Sequence, residues 1–416
     1  MYGEVLITGI SQNRKLISSS AIYSMILIAA NFTVASPILI EISRTLDVSV
    51  ALAGILFTFL SIGNIAGAAL NSFVCKFIQR KYLYRAVLFA QFALFMIFAI
   101  SNNFYIAVTI FFLMGICSGS LNVMVSTVMV EMFVGSPGTS LNLTHMFFGL
   151  GAFLGPIISS QIVGRGLDWS YVFYIIAGLI LINFLLSLFF EIPVSDNYVG
   201  LKSYTLTGSK KSDNPGHGQM LPKLNVGLFF LIALASFMMA AAQQGFSTWM
   251  PSFLRIERDY NSILAGQSLS LFWAILSIGR LVVGIISKRI RLEKIVIFLS
   301  LPCFIFAFIS VYFNNKTLAF VSFLLMGAFH SGIWPSLLAL GSVYFKERSN
   351  FVISILSAVC SLGGLLAISF ISLLYDTTNN LQLGLLIISS FMFITFVALV
   401  IFYLINRVKI NAKYQS

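Results

Sequence analysis

The chain has 416 residues, of which 59% are hydrophobic and only 9% are charged. Soluble domains carry about 25% charged residues, so this composition excludes an ordinary soluble protein and indicates one that lies in lipid. The formal net charge is +12. Because the basic residues sort by loop, as shown below, we attribute this charge to membrane topology and not to nucleic-acid binding.

Twelve apolar stretches are long enough to cross a bilayer. A hydrocarbon core of about 30 Å needs about 20 apolar residues per helix. We number the stretches spans 1 to 12 and place them at 17–40, 49–71, 83–101, 104–130, 140–164, 168–190, 224–249, 261–287, 293–313, 316–342, 348–374 and 381–405. The sequence therefore predicts an all-α membrane protein with twelve transmembrane helices.

Span 1 is too long for a signal-peptide core and lacks a small-residue cleavage site, so we expect it to be retained. The four cysteines lie far apart without metal or redox spacing and are interpreted as small packing residues. If the N-terminus is cytoplasmic, nineteen of the 25 Lys and Arg residues lie on that side and five lie outside, with Arg280 inside span 8. This bias predicts a multi-pass plasma (inner) membrane protein whose termini are both cytoplasmic.

A polar stretch rich in Gly, Ser and Lys separates two apolar halves. We assign 1–191 to the N-terminal six-helix half, 192–223 to a cytoplasmic linker and 224–416 to the C-terminal six-helix half. No loop contains a Walker A pattern, a zinc-ligand spacing or a nucleophile elbow. We therefore expect neither an enzyme nor an ATP-driven pump, and no cofactor or metal.

The two halves are similar in sequence at a shift of 212 residues. Leu113-Met114-Gly115 falls on Leu325-Met326-Gly327, and Gly67 falls on Gly279 without a gap. A duplicated chain with six membrane-length segments per copy is typical of twelve-helix transporters built from two pseudo-symmetric halves.

This organisation resembles the major facilitator superfamily, whose fold we therefore expect. The family's loop signature is partly present after spans 2 and 8, where Lys76 and Lys288 are equivalent residues, but both copies lack the expected Asp. The resemblance implies a gating or structural role for these two lysines.

Three motifs resemble one branch, the fucose permease-like sugar:proton symporters. They are Leu141–Ala152 in span 5, Gln244–Pro251 in span 7 and Ser331–Ser336 in span 10. The resemblance implies sugar transport coupled to protons through acids in spans 1 and 4. Here Ser118 stands where the span 4 acid is expected, and span 1 offers only Asn31, so the family's proton mechanism does not carry over residue by residue.

Polar residues inside a membrane span are costly and concentrate along transport pathways. The resemblance implies that spans 1, 4, 7 and 10 line the cavity, with contributions from spans 5 and 8. The candidate substrate-binding residues are Asn31, Asn122, Asn142, His145, Gln243, Gln244, Trp273, His330 and Trp334. Each also has a structural interpretation, as an interhelical hydrogen bonder or, for the tryptophans, as an interface anchor.

The predicted spans also contain histidines, and Arg280 lies inside span 8. His145 and His330 are candidates for proton coupling, because an unperturbed histidine titrates near pH 6.5. Arg280 is interpreted first as a brace of the cytoplasmic gate, and alternatively as the counter-charge of an anionic substrate.

Amides and aromatic rings suit a neutral, polyhydroxylated solute. We therefore predict a transporter that moves a small neutral solute, with a monosaccharide as the best fit, by alternating access, either as a facilitator or as a proton symporter. The alternatives are an exporter of amphipathic drugs or organic anions, and a non-transporting nutrient sensor, which the short termini disfavour. The expected partners are the solute, protons if it is a symporter, and the lipid bilayer; we expect a monomer and no nucleic acid.

Overall fold

The computed structural model describes residues 2–75, 77–132, 137–190, 225–287, 289–345 and 349–415. The side chains of 2–13, 72, 130–132, 137–143, 145, 349–351 and 408–415 lie outside this description. Twelve described helical segments are long and apolar enough to cross a membrane, and the described residues contain no strand. The predicted fold class, an all-α membrane protein with twelve transmembrane helices, is confirmed.

The helices follow one another as single spans, except that spans 1 and 10 are each broken into two. Their bounds are Tyr2–Thr33 and Leu39–Thr45 (span 1), Val50–Val74, Arg80–Ala99, Phe104–Met132, Pro137–Gly164, Ser170–Ser187, Val226–Glu257, Ser262–Ile286, Leu292–Tyr312, Lys316–His330 and Ile333–Tyr344 (span 10), Ser349–Thr378 and Leu381–Gln415. Twelve crossings place both ends of the chain on one side of the membrane. We call it the terminal side and the other the opposite side.

The starts of four spans are fixed by equivalent caps in the two halves. The side chains of Ser49, Asn103, Asn261 and Asn315 each accept a hydrogen bond from the backbone N–H three residues later. The 212-residue shift pairs Ser49 with Asn261 and Asn103 with Asn315. Such caps satisfy free N–H groups at a helix start and contribute about 1 kcal/mol each.

The duplication is also visible in how the helices pack. A Cβ atom on Gly115 of span 4 would lie 2.2 Å from the carbonyl oxygen of Leu60 in span 2. A Cβ atom on Gly327 of span 10 would lie 3.2 Å from the carbonyl oxygen of Phe272 in span 8. Leu60 and Phe272 are themselves 212 residues apart, so the same pair of helices approaches at the same level in each half, as small residues allow in membranes.

The prediction that span 7 ends near 249 was wrong, because the helix continues through Pro251 to Glu257. Proline has no N–H group, so the carbonyl of Ser247, four residues earlier, loses its helical partner. The hydroxyl of Ser36 in the other half donates to that carbonyl at 3.2 Å and to the carbonyl of Thr248 at 2.6 Å. Ser36 and Thr248 are 212 residues apart, so their contact lies where the pseudo-two-fold axis passes between spans 1 and 7.

Candidate substrate cavity

An ion pair joins the two halves on the opposite side of the membrane. The guanidinium of Arg255 in span 7 donates to both carboxylate oxygens of Glu41 in span 1, one at 2.8 Å, and also to the carbonyl of Pro37 at 3.0 Å. The two charged side chains are 15% and 17% exposed. A bidentate, largely shielded pair of this kind is stronger than an exposed one and holds the first and seventh spans together.

A second layer of contacts lies nearer the membrane centre. The indole of Trp249 is fully buried, with Nε1 3.4 Å from the carbonyl of Ile368 in span 11. A Cβ atom on Gly54 of span 2 would lie only 2.3 Å from this ring. The hydroxyls of Thr58 and Ser369 are 2.9 Å apart and join the same two spans, 2 and 11. The ring of Trp249 therefore closes the space between the halves on the opposite side, and we call this ring the plug. Only glycine at position 54 leaves room for it.

Spans 5 and 8 approach closely at two levels. A Cβ atom on Gly266 would lie 2.2 Å from Ser160, and one on Gly149 would lie 2.1 Å from Ser277. Both contacts join span 5 of one half to span 8 of the other.

Directly beneath the plug lies a narrow cavity between the halves. The lining comes from spans 1, 2, 7, 8 and 11 and consists of Phe32, Thr33, Phe57, Leu60, Ser61, Gln244, Ser247, Thr248, Trp273 and Ile368. None of these ten residues is charged. Hydroxyl, amide and indole groups share the wall with aliphatic and aromatic surface.

One donor on the cavity wall has no hydrogen-bond partner among the described residues. Trp273 is 5% exposed, and its indole Nε1–H has no hydrogen-bond partner among the described residues. Its ring contacts that of Phe148, in the other half, edge to face at 6.2 Å between centroids. The side-chain oxygen of Gln244 accepts from Ser247 at 3.4 Å. An unsatisfied buried donor costs about 1–3 kcal/mol, so Trp273 remains a candidate for binding an acceptor on a ligand.

Comparison with known proteins places this architecture in a family. The family model of the Major Facilitator Superfamily matches residues 21–367, most of the chain. The chain belongs to the major facilitator superfamily. The prediction of a transporter and not an enzyme is thereby confirmed.

Relatives and solved structures agree with this assignment. A protein TsgA homolog of Yersinia pestis (strain Pestoides F) is 26% identical over 346 residues, which cover 80% of this chain and 83% of the relative. A D-xylose-proton symporter matches with a TM-score of 0.75 and 13% identity over 94% of this chain and 97% of its own. The nucleoside transporter NupG matches with a TM-score of 0.71 and 14% identity over 94% and 98%. At these identities the solved structures show the shared fold alone.

Within this major facilitator fold, two of the predicted site residues, Gln244 and Trp273, line the cavity together. The other predicted residues with described side chains do not line the cavity. Asn31 is buried, and its amide donates to Ser118 of span 4 at 2.7 Å. Asn122 accepts from Ser126 one turn away at 3.5 Å. These two asparagines thus bond within their own half. Gln243 and Trp334 are half-buried and lie outside the cavity lining. Four predicted residues lie outside the described residues or side chains: Lys76, Asn142, His145 and Lys288.

His330 lies at the break in span 10. Its ring is 1% exposed, and Nε2 is 3.3 Å from the carbonyl of Met239 in span 7. The helix resumes at Ile333 with Pro335 in its first turn, and Pro335 cannot donate to the carbonyl four residues earlier. The break was not predicted, although the Gly332–Pro335 spacing is its signal. His330 therefore links spans 7 and 10 at the level where span 10 changes course.

Arg280 occupies the same face of span 8 as Trp273 and Ser277, at spacings of seven and three residues. A charged side chain near the centre of a membrane helix costs nominally about 2.5–3.5 kcal/mol. The Nε–H group of Arg280 is buried and has no hydrogen-bond partner among the described residues. Arg280 is therefore a cation of span 8 that lies between Trp273 and the terminal-side end of the helix.

Several lining residues were missed by sequence analysis. Phe32, Thr33, Ser61 and Thr248 resemble ordinary packing residues in an apolar helix, and two of the five lining helices, spans 2 and 11, were not expected to contribute. Only the closure of the opposite side brings these helices over the cavity, and local sequence carries no signal for that conformation.

Proposed function

We propose that this protein transports a small polyhydroxylated solute of monosaccharide size by alternating access, with the described conformation facing the terminal side. The observation that carries the proposal is the uncharged cavity between the halves, in which the unpartnered indole N–H of Trp273 lies beside Gln244. Sugar hydroxyls both donate and accept, and aromatic faces bind the apolar side of a sugar ring.

The proposal includes the membrane orientation. With the basic loops inside, the terminal side is the cytoplasm, the membrane is the plasma (inner) membrane, and the described conformation is inward-facing. Membership of the fucose permease-like branch is part of the same proposal. It is supported by the span 7 motif Gln244–Pro251, which supplies three lining residues and the plug Trp249.

The first test replaces the unpartnered donor. Trp273→Phe is expected to raise the KM for sugar uptake into proteoliposomes by about 5- to 13-fold, because a buried hydrogen bond to the solute contributes about 1–1.5 kcal/mol. Trp334→Phe is the matched control, since Trp334 is half-buried and lies outside the lining. Equal effects of the two substitutions, or no effect of Trp273→Phe, would exclude the cavity as the sugar site.

The second test concerns coupling. We expect uptake that equilibrates the solute without a pH gradient driving accumulation, so that the protein acts as a facilitator. The ring of His330 is buried, and its Nε2 lies 3.3 Å from the carbonyl of Met239, so the ring already serves as a contact between spans 7 and 10. His330→Gln and His145→Gln are therefore expected to leave the pH profile of uptake between about pH 5.5 and 8 unchanged. Accumulation driven by an acidic exterior and lost in either variant would instead establish a histidine-coupled symporter.

A further inference from the structure

Arg280 is a cation that lacks a described counter-ion. Its Nε–H group is buried without a partner. The described carboxylates nearest the membrane are engaged elsewhere: Glu41 binds Arg255, Glu257 accepts from the first N–H groups of span 12, and Glu293 binds a tyrosine of span 10. A desolvated charge inside a membrane protein is normally paired or faces water or a substrate. None of these three carboxylates is paired with Arg280.

The position of Arg280 connects it to the cavity. Side chains of an α-helix lean toward the helix N-terminus, and span 8 begins on the opposite side, at Ser262. Arg280 therefore leans toward Trp273, whose Cα lies about 10 Å away along the helix axis. An arginine side chain and a solute with a chain of six or seven atoms are together long enough to span the distance between Arg280 and Trp273. Arg280 is not among the residues that line the cavity, so a solute that contacts both would extend from the cavity toward the terminal side.

We infer that Arg280 binds a carboxylate of the transported solute, and that the substrate class is a sugar monocarboxylate, an aldonate or uronate, in place of a neutral sugar. This inference rests on the proposed function, because the hydroxylated part of the solute occupies the cavity beneath Trp249. Guanidinium groups bind carboxylates through two parallel hydrogen bonds. One cation matches the single negative charge of a sugar acid better than the double charge of a sugar phosphate.

The test is uptake of labelled D-gluconate, D-glucuronate, D-glucose and D-glucose 6-phosphate by purified protein in proteoliposomes. The wild-type protein is expected to take up a sugar acid with a KM at least tenfold below that for D-glucose. Arg280→Gln is expected to remove that preference while D-glucose uptake persists, and Arg280→Lys to retain part of it. Arg289→Gln, which removes an exposed arginine at the end of the same span, is expected to change neither KM.

Two further measurements separate a binding role from a structural one. Glu131 lies in the last turn of span 4, on the terminal side, and its side chain lies outside the description. It is the carboxylate that a gate brace formed by Arg280 could use, and Glu131→Gln is expected to leave the preference for the acid intact. The thermal shift that D-gluconate produces in detergent is expected to vanish in Arg280→Gln, while the variant elutes as a monodisperse peak in size-exclusion chromatography.

The possible failures are distinguishable. Wild-type uptake of D-glucose without preference for either acid overturns the assignment of Arg280 and leaves the proposed function standing. An equal loss of acid and neutral-sugar uptake in Arg280→Gln, with Glu131→Gln behaving the same way, overturns it in favour of a gate brace. A lower KM for D-glucose 6-phosphate than for both acids overturns the carboxylate as the recognised group. Absence of uptake and of thermal shift with all four solutes overturns the proposed function and this inference together.

Discussion

Gly54→Val is expected to prevent closure of the opposite side and to lower transport at least tenfold. A Cβ atom at this position would lie 2.3 Å from the indole of Trp249, which is fully buried and cannot withdraw. Overpacking of this kind costs about 1–3 kcal/mol, which changes a conformational equilibrium by about 5- to 150-fold. Alternating access requires the closed state in every cycle, so its loss slows the whole cycle.

The conformational part of this result can be measured directly. Asn102 and Asn314 are exposed loop residues of the two halves on the opposite side, 212 positions apart. Spin labels at these positions are expected to give longer distances in Gly54→Val than in the wild type. Trp249→Ala should restore the short distances in the double variant, because it removes the ring that the new side chain strikes.

Gly178→Val is the matched control for Gly54→Val. A Cβ atom on Gly178 of span 6 would meet no described atom within 4 Å, so we expect wild-type transport and wild-type distances. If Gly54→Val also behaves like the wild type, the proposed plug of Trp249 against span 2 is not part of the gate.

Glu41→Gln is expected to shift the protein about tenfold or more toward a conformation open on the opposite side. The carboxylate binds Arg255 through two hydrogen bonds across the halves, and both side chains are largely shielded from solvent. Removing one partner leaves the arginine charge partly buried. We estimate the cost at about 1–3 kcal/mol, below that of fully buried pairs because some exposure remains.

A double variant in which the two charges are exchanged tests whether the ion pair itself is responsible. Glu41→Arg combined with Arg255→Glu is expected to recover most of the closed population, measured with the same two spin labels, whereas either reversal alone should not. Arg291→Gln is the control, because Arg291 and Glu293 form an ion pair 3.1 Å apart within one half. A shift in Arg291→Gln as large as that in Glu41→Gln would contradict a specific role for the pair that joins spans 1 and 7.

The fold was predictable from sequence because it depends on the number of long apolar stretches and on a sequence repeat. Twelve apolar stretches and the shift that places Gly115 on Gly327 predicted both the helix count and the equivalence of the halves. The glycines that align are the ones where two backbones approach. A sequence repeat and a packing repeat coincide there because a side chain at either position would separate the helices.

Two features of the helices were predicted wrongly, each for a physical reason. The end of span 7 was placed near 249 because Pro251 normally stops a helix, but Ser36 from the other half satisfies the freed carbonyl. A contact from another helix cannot be predicted from the sequence of span 7 alone. The break at His330 was overlooked because Gly332 and Pro335 lie inside an otherwise uninterrupted apolar stretch.

The cavity was predicted only in part. Gln244 and Trp273 were identified because amides and indoles inside a membrane need partners, whereas Ser61 and Thr33 were not, because small hydroxyls commonly bond to their own helix. Both do so here, Ser61 to Phe57 and Thr33 to Ala29. Their place in the lining depends on the closed conformation and not on the local sequence.

The most direct measurement is a tryptophan fluorescence titration of the purified protein with D-glucose and D-gluconate. We expect a saturable change in emission in the wild type that is retained in Trp334→Phe and lost in Trp273→Phe, because Trp273 lines the cavity and Trp334 does not. The same saturable change in Trp273→Phe, under conditions where the solute is transported, would show that the solute binds elsewhere and would contradict the account.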